Sequence, residues 1–145
     1  MSNQQTLEQK RAAAAWDCIQ DIVRRRDTAL QEKYKTLAIK ATADIQTNGL
    51  GQTIAFWKAK GAVEPGKSPG AEKLAHQKIL AHLTTWLKSA ETLQLPTDNL
   101  VEWVSKTASA DDYRRATTEA IAFLVWLNRF AEAELPSGEF LEKQS

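Results

Sequence analysis

Three groups of residues in this 145-residue chain have types and spacings that could do chemistry. The first, Gly61-x-x-x-x-Gly66-Lys67-Ser68, satisfies the P-loop expression, in which glycine-turn N–H groups and a lysine hold the phosphates of a nucleotide. That chemistry needs a buried strand leading into the turn and a helix leaving it directly, so that backbone N–H groups align on the anion. Here the helical pattern of Ile54 to Lys60 leads in, Pro69-Gly70 follows the serine, and no apolar strand ending in aspartate lies downstream to hold magnesium. The segment reads as a connector, and nucleotide hydrolysis is a distant third function. The second group is His76 and His82, six apart on one helical pattern and so about 240° apart around its axis, which excludes joint chelation. Glu72 lies four residues before His76, but no further Cys or His supplies the three or four ligands a metal needs. Both histidines are expected as exposed polar residues. No catalytic set, metal site or cofactor is expected.

The third group is basic. Arg24, Arg25 and Arg26 close a first helical pattern, Lys40 lies late in a second, Lys58 and Lys60 end a third, and Arg114 and Arg115 open the last. Cations near helix C-termini are favoured by the dipole, which explains the first groups without a ligand. Arg114 and Arg115 sit where the dipole disfavours them, so Asp111 and Asp112 or an external anion must compensate. The formal charge of +1 hides an uneven distribution: residues 1–90 carry 14 basic and 8 acidic side chains, and residues 91–145 carry 5 and 10. A basic first portion, with Gln46, Thr47 and Asn48 at a helix end, suits sequence-independent contacts to nucleic-acid phosphates. The candidate nucleic-acid-binding set is Arg24, Arg25, Lys40, Asn48, Lys58, Lys60, Arg114 and Arg115.

The elements that must position these residues are all helical, because apolar residues recur at three and four and no segment alternates for long with period two. The expectation is an all-α, compact single-domain bundle of about six helices over residues 1–145, with a loop at 61–70, a frayed tail at 136–145 and a long central C-terminal helix. Thr6 and Gln9 form a capping box before a stripe of Ala15, Trp16, Ile19, Ile22 and Val23. Leu30, Tyr34, Leu37, Ala41 and Ile45 mark a second helix, broken at Asn48-Gly49; Leu50, Ile54 and Trp57 share one face of a third. The fourth runs from Ala71 to about Ala90 with Ile79, Leu80, Leu83, Trp86 and Leu87 inside, and a short fifth carries Leu100, Trp103 and Val104. Ser109 and Asp112 repeat the capping-box logic before a pattern reaching Glu134, apolar on two stripes: one through Tyr113, Ala120, Leu124 and Leu127, the other through Phe123, Trp126 and Phe130. Within the frayed tail, Phe140 and Leu141 are the apolar residues that could dock. The single Cys18 suits a reducing cytoplasm, and no apolar run approaches a membrane span.

Two segments carry a family resemblance: Ile45-Gln-Thr-Asn-Gly-Leu-Gly-Gln-Thr-Ile-Ala-Phe-Trp-Lys-Ala-Lys60 and Asp112-Tyr-Arg-Arg-Ala-Thr-Thr-Glu-Ala-Ile-Ala-Phe-Leu-Val-Trp-Leu-Asn-Arg-Phe-Ala131. With Thr6 to Ala15 they resemble the small helical subunit of the Cmr-type (type III-B) CRISPR effector complex, most weakly between Gly61 and Ser105. The resemblance implies a cytoplasmic, non-catalytic protein of antiviral defence, monomeric alone, that stacks along a filament of backbone subunits holding a guide RNA. Its implied partners are the backbone and large subunits and guide RNA, target RNA or both, with no membrane. Target cleavage would belong to the backbone subunits. Residues Thr47 to Gly51 would form a packed corner, and Lys58, Lys60, Arg114 and Arg115 would face RNA. Asn128 departs from the family pattern, in which a lysine is more usual before Arg-Phe-Ala, and the acidic Glu132 and Glu134 would meet a basic neighbour. The alternative is a protein-only helical scaffold, for which exposed Trp57 or Trp103 would be anchors.

Overall fold

In the computed structural model, which describes residues 5–138, six helices follow one another with no strand among the described residues. They are α1 (Leu7–Arg24), α2 (Thr28–Asn48), α3 (Leu50–Gly61), α4 (Ala71–Ser89), α5 (Leu100–Glu102) and α6 (Ala110–Glu134). Phe140 and Leu141 lie outside the described residues.

Side-chain caps set most of the boundaries. The Thr6 hydroxyl accepts the Gln9 N–H at 3.1 Å while the Gln9 side chain accepts the Thr6 N–H at 2.8 Å, closing the expected capping box. Asp27 caps α2 through the Leu30 N–H, and Ser109 caps α6 through the Asp112 N–H. At α6 only that half of a capping box is formed among the described residues. Gly49 breaks α2 from α3 with φ +87° and ψ 158°, a conformation essentially restricted to glycine. After α5 the chain widens into a single π turn, Trp103–Thr107, where the Ala108 N–H donates to the Trp103 carbonyl five residues back at 2.8 Å.

One apolar core joins all the helices. The 25-residue α6 packs against α1, α2 and α4, and α4 packs against α2 and α3. The middle of the bundle is therefore shared by α2 and α6. Trp57, Tyr34 and Phe123 are the bulkiest fully buried side chains, and Trp86 stacks on Phe123 with ring centres 5.7 Å apart. Three expectations about the stripes need correction. Trp16 is 42% exposed, because its ring lies edge-on to Phe130 at the rim of the α1–α6 seam. Leu37 and Leu80 are only partly buried. The second stripe of α6 is covered only at Phe123, while Trp126 and Phe130 lie half-buried beside an exposed Val125.

Three polar clusters, centred on Glu119, Lys35 and His82, tie distant helices together within this framework. Glu119 is 2% exposed and accepts hydrogen bonds from Arg11 Nε and Nη2, Trp86 Nε1 and Thr92 Oγ1, all within 3.0 Å. Burial pushes its carboxyl up, but those donors outweigh it and hold it below the usual range. Lys35 donates to the Leu135 carbonyl and to Ser137 Oγ, both at 3.0 Å. It thus brings a cation from α2 to the C-terminal end of α6, whose last turn has none of its own. Tyr34, His82 and Asp21 form a chain, with Tyr34 Oη 2.7 Å from His82 Nδ1 and His82 Nε2 2.9 Å from Asp21 Oδ2.

Candidate nucleic-acid interface

The eight candidate residues do not converge. They divide among four places on the surface, each set by the helix that carries it.

The first is a groove between α2 and α3. Because Gly49 turns the chain sharply, two stripes of period four run away from a common corner: Lys40, Asp44 and Asn48 on α2, and Gln52, Phe56 and Lys60 on α3. Lys40, Asp44, Asn48, Gln52, Thr53 and Phe56 line a groove of about 430 Å³. Phe56 is 53% exposed. Its ring lies edge-on to His76 at 6.1 Å, and the Lys60 ammonium sits over it, 5.6 Å from the ring centre. Lys40 and Lys60 have no carboxylate partner among the described residues. The corner expected over Thr47 to Gly51 is packed only in its second half: Leu50 is buried and Tyr113 of α6 lies against Gly51, with Oη accepting the Gly51 N–H at 2.9 Å. Asn48 and Thr47 stay exposed at its edge.

The second place holds Arg114 and Arg115, both exposed in the first turns of α6 above a groove shared with Arg11, Thr92 and Thr118. Arg114 pairs with Asp111, one of the two acids expected to offset it. Arg115 has no ion-pair partner among the described residues. Lys58 is third, alone on the other side of α3, where it flanks a groove with Thr84 and Asp98. Arg24 and Arg25 are fourth, exposed at the end of α1, with Arg25 3.4 Å from Asp21. The residue that spacing failed to single out is Phe56. The signal was present in the i, i+4, i+8 series Gln52, Phe56 and Lys60, which departs from the buried stripe of Leu50, Ile54 and Trp57.

The other candidate chemistries have structural explanations. Gly61 ends α3, and Gln77 Nε2 and Lys73 Nζ tie the connector's first carbonyls, Gly61 and Ala62, to α4. No strand enters at Gly61 and α4 begins only at Ala71, so Gly66-Lys67-Ser68 is not placed at a helix N-terminus; Lys67 instead pairs with Glu64 at 3.2 Å. His76 and His82 do face different ways, but both are buried, at 5% and 9% exposure, which corrects the expectation of a surface pair. His76 Nδ1 is 2.8 Å from the Glu72 carbonyl. Burial pushes the His82 imidazole below its usual range against the pull of Asp21. The neutral ring then donates from Nε2 to Asp21 and accepts the Tyr34 hydroxyl at Nδ1. Asp21 is held down to about 2: burial opposes its ionisation, and the hydrogen bonds from Lys78 and His82 override it. The Cys18 thiol beside this cluster is pushed up to about 12 by burial and by the charges of Asp21 and Asp17. Among the described residues no group of three His, Cys, Asp or Glu is placed to hold a metal, and no helix is long and apolar enough to cross a membrane.

These features define a class: a small helical bundle whose buried polar clusters are knitted into the core and whose surface carries separate cationic points at Lys40, Lys58, Lys60, Arg24 and Arg115 and an acidic end of α6 at Glu132 and Glu134. Within that class, the model of the CRISPR-associated protein family Cas_Cmr5 matches residues 7–134, nearly the whole chain, and the chain belongs to that family. It is a small subunit of the Cmr-type, type III-B CRISPR complex.

Proposed function

We propose that this chain is a non-catalytic subunit that holds the RNA of a type III-B effector by its phosphate backbone while docking on the backbone and large subunits. The observation that carries the reading is the α2–α3 groove, lined by Lys40, Asn48 and Phe56 with the Lys60 ammonium over the Phe56 ring, where neither lysine has an ion-pair partner among the described residues. Two lysines and a primary amide, all donors, are what a phosphate-lined strand requires, and contacts of this kind position a complex without reading sequence. Arg115, Lys58 and Arg24 supply separate cationic points, suited to an RNA that passes along the subunit or to acidic surfaces of neighbours. Glu132 and Glu134, exposed at the end of α6, suit a basic neighbour.

A protein-only scaffold is the second reading. Its anchors cannot be Trp57 and Trp103, which are 1% and 6% exposed. It is favoured by the rim of α1 and α6, where Trp16 and Val125 are exposed beside Phe130 and Trp126. Co-expression of a tagged chain with the other subunits separates the readings. A guide RNA that co-purifies with wild type but is depleted when Lys40 and Lys60 are both changed to glutamate supports RNA holding. Full RNA occupancy in that variant supports the scaffold.

A further inference from the structure

We infer that the α2–α3 groove is a binding site for an unpaired nucleotide, with Phe56 as the platform on which its base stacks. The inference rests on the RNA-holding reading and narrows it from nucleic-acid backbone in general to a single strand with exposed bases.

Three observations point this way. Phe56 is the most exposed large apolar side chain among the described residues, at 53%, and it stands in a groove otherwise lined by polar groups. A lone aromatic ring among lysines and amides differs from an apolar protein-docking patch, such as the α1–α6 rim, where several apolar side chains adjoin. The ring is also pre-positioned: His76, itself buried and bonded to the Glu72 carbonyl, meets it edge-on at 6.1 Å. Finally, the ring already holds a cation, with Lys60 Nζ 5.6 Å from its centre.

The competition for the ring face favours a base. An exposed cation–π contact is worth about two- to five-fold in an equilibrium. Stacking of a base on an aromatic side chain is worth about 5- to 150-fold per base. A nucleotide entering the groove therefore displaces the Lys60 ammonium from the ring and gives it a phosphate instead. Lys40, two turns before the corner on α2, is a second phosphate donor about 12 Å along the helix from Asn48. Asn48 and Gln52, at the corner, present amides to a base edge, while Asp44 repels phosphate from the middle of the groove. A paired duplex cannot use this arrangement, because its base faces are covered by their own neighbours.

The test uses the isolated full chain and fluorescence anisotropy at low salt. The probes are a labelled oligouridine, an abasic oligomer of equal length and an RNA duplex, with wild type, Phe56→Ala, Phe56→Leu and Phe56→Trp. Stacking predicts that Phe56→Ala and Phe56→Leu each lose about 5- to 150-fold for oligouridine but under two-fold for the abasic strand and the duplex, and that Phe56→Trp retains binding. Circular dichroism of each variant checks that α3 stays folded. Equal losses on all three probes, or none on oligouridine, overturn the stacking site. If Phe56→Ala leaves oligouridine binding intact but prevents assembly with the other subunits, the groove is a protein interface and the inference fails. If wild type binds none of the probes, the RNA-holding reading fails with it; if it binds all three and Phe56→Ala changes none, only the stacking site fails.

Discussion

Replacing Glu119 with alanine should be among the most damaging single changes in the described core, and the structure gives its size. The carboxylate is 2% exposed and accepts four hydrogen bonds that join α1, α4, the α4–α5 connector and α6. Its removal leaves the Arg11 guanidinium, whose side chain is only 15% exposed, facing Trp86 and Thr92 with no buried anion. Breaking a buried pair by deleting one partner costs about 3–5 kcal/mol. Arg11 keeps a contact to Glu8 at 2.7 Å near the surface, which offsets part of that cost and places the expectation at the lower end, about 3 kcal/mol. Glu119→Gln, which still accepts from Trp86 and Thr92, should lose roughly half as much, on the scale of one hydrogen bond to a charged group. The double change Arg11→Met with Glu119→Leu should be less destabilised than Glu119→Ala, because no charge is left unpaired. Urea unfolding followed by circular dichroism reads these differences as shifts in midpoint at constant slope. A loss under about 1 kcal/mol for Glu119→Ala would refute the reasoning, since it would mean that the network contributes no more than an exposed ion pair.

Three further outcomes follow from the same geometry. Gly49→Ala should cost about 1–3 kcal/mol from backbone strain alone, since its Cβ would meet nothing closer than Tyr113 Oη at 3.6 Å; Gly51→Ala, in ordinary helical backbone, should cost much less, and equal losses in urea would contradict this. Stability should fall on acidification. His82, with a lowered folded value, begins to withdraw stability as pH drops through 6.5, and the contribution of Asp21 is complete above 3.8 and lost as pH falls towards 2; a urea midpoint unchanged from pH 7 to pH 3 would contradict both. Arg115→Glu should weaken capture of target RNA by the assembled complex more than Arg114→Glu, whose guanidinium is already engaged by Asp111, while both variants keep wild-type urea midpoints within about 0.5 kcal/mol.

Much of the fold is legible in local chemistry. Thr6 with Gln9, Ser109, Asn48-Gly49 and the Pro- and Gly-rich 61–70 segment act within a few residues, so their turns and caps follow from spacing. Leu50, Ile54 and Trp57 share a face because the helical period requires it, and they are buried as that period implies. What spacing cannot supply is the partner on a distant element. Glu119, His82 and Lys35 are buried because Arg11, Tyr34 and the Leu135 carbonyl arrive from 108, 48 and 100 residues away. Trp16 fits the apolar stripe of α1 yet lies at its edge, because periodicity gives direction around a helix but not how far the neighbouring helix reaches. The candidate site divides in the same way. Lys40, Asn48 and Lys60 are readable as basic or polar helix residues, but only the Gly49 corner brings Lys40 and Asn48 into one groove with Phe56, whose ring carries Lys60 above it.

The central claim is that the α2–α3 groove holds RNA by its phosphates, and the salt dependence of binding tests it most directly. Each phosphate contact on a single strand contributes about −0.7 to the slope of log K against log salt concentration. Changing Lys40 and Lys60 together to alanine should therefore flatten that slope by about 1.4 for an unrelated single-stranded RNA, with the helical circular dichroism unchanged. An identical slope in wild type and the double variant would contradict the account.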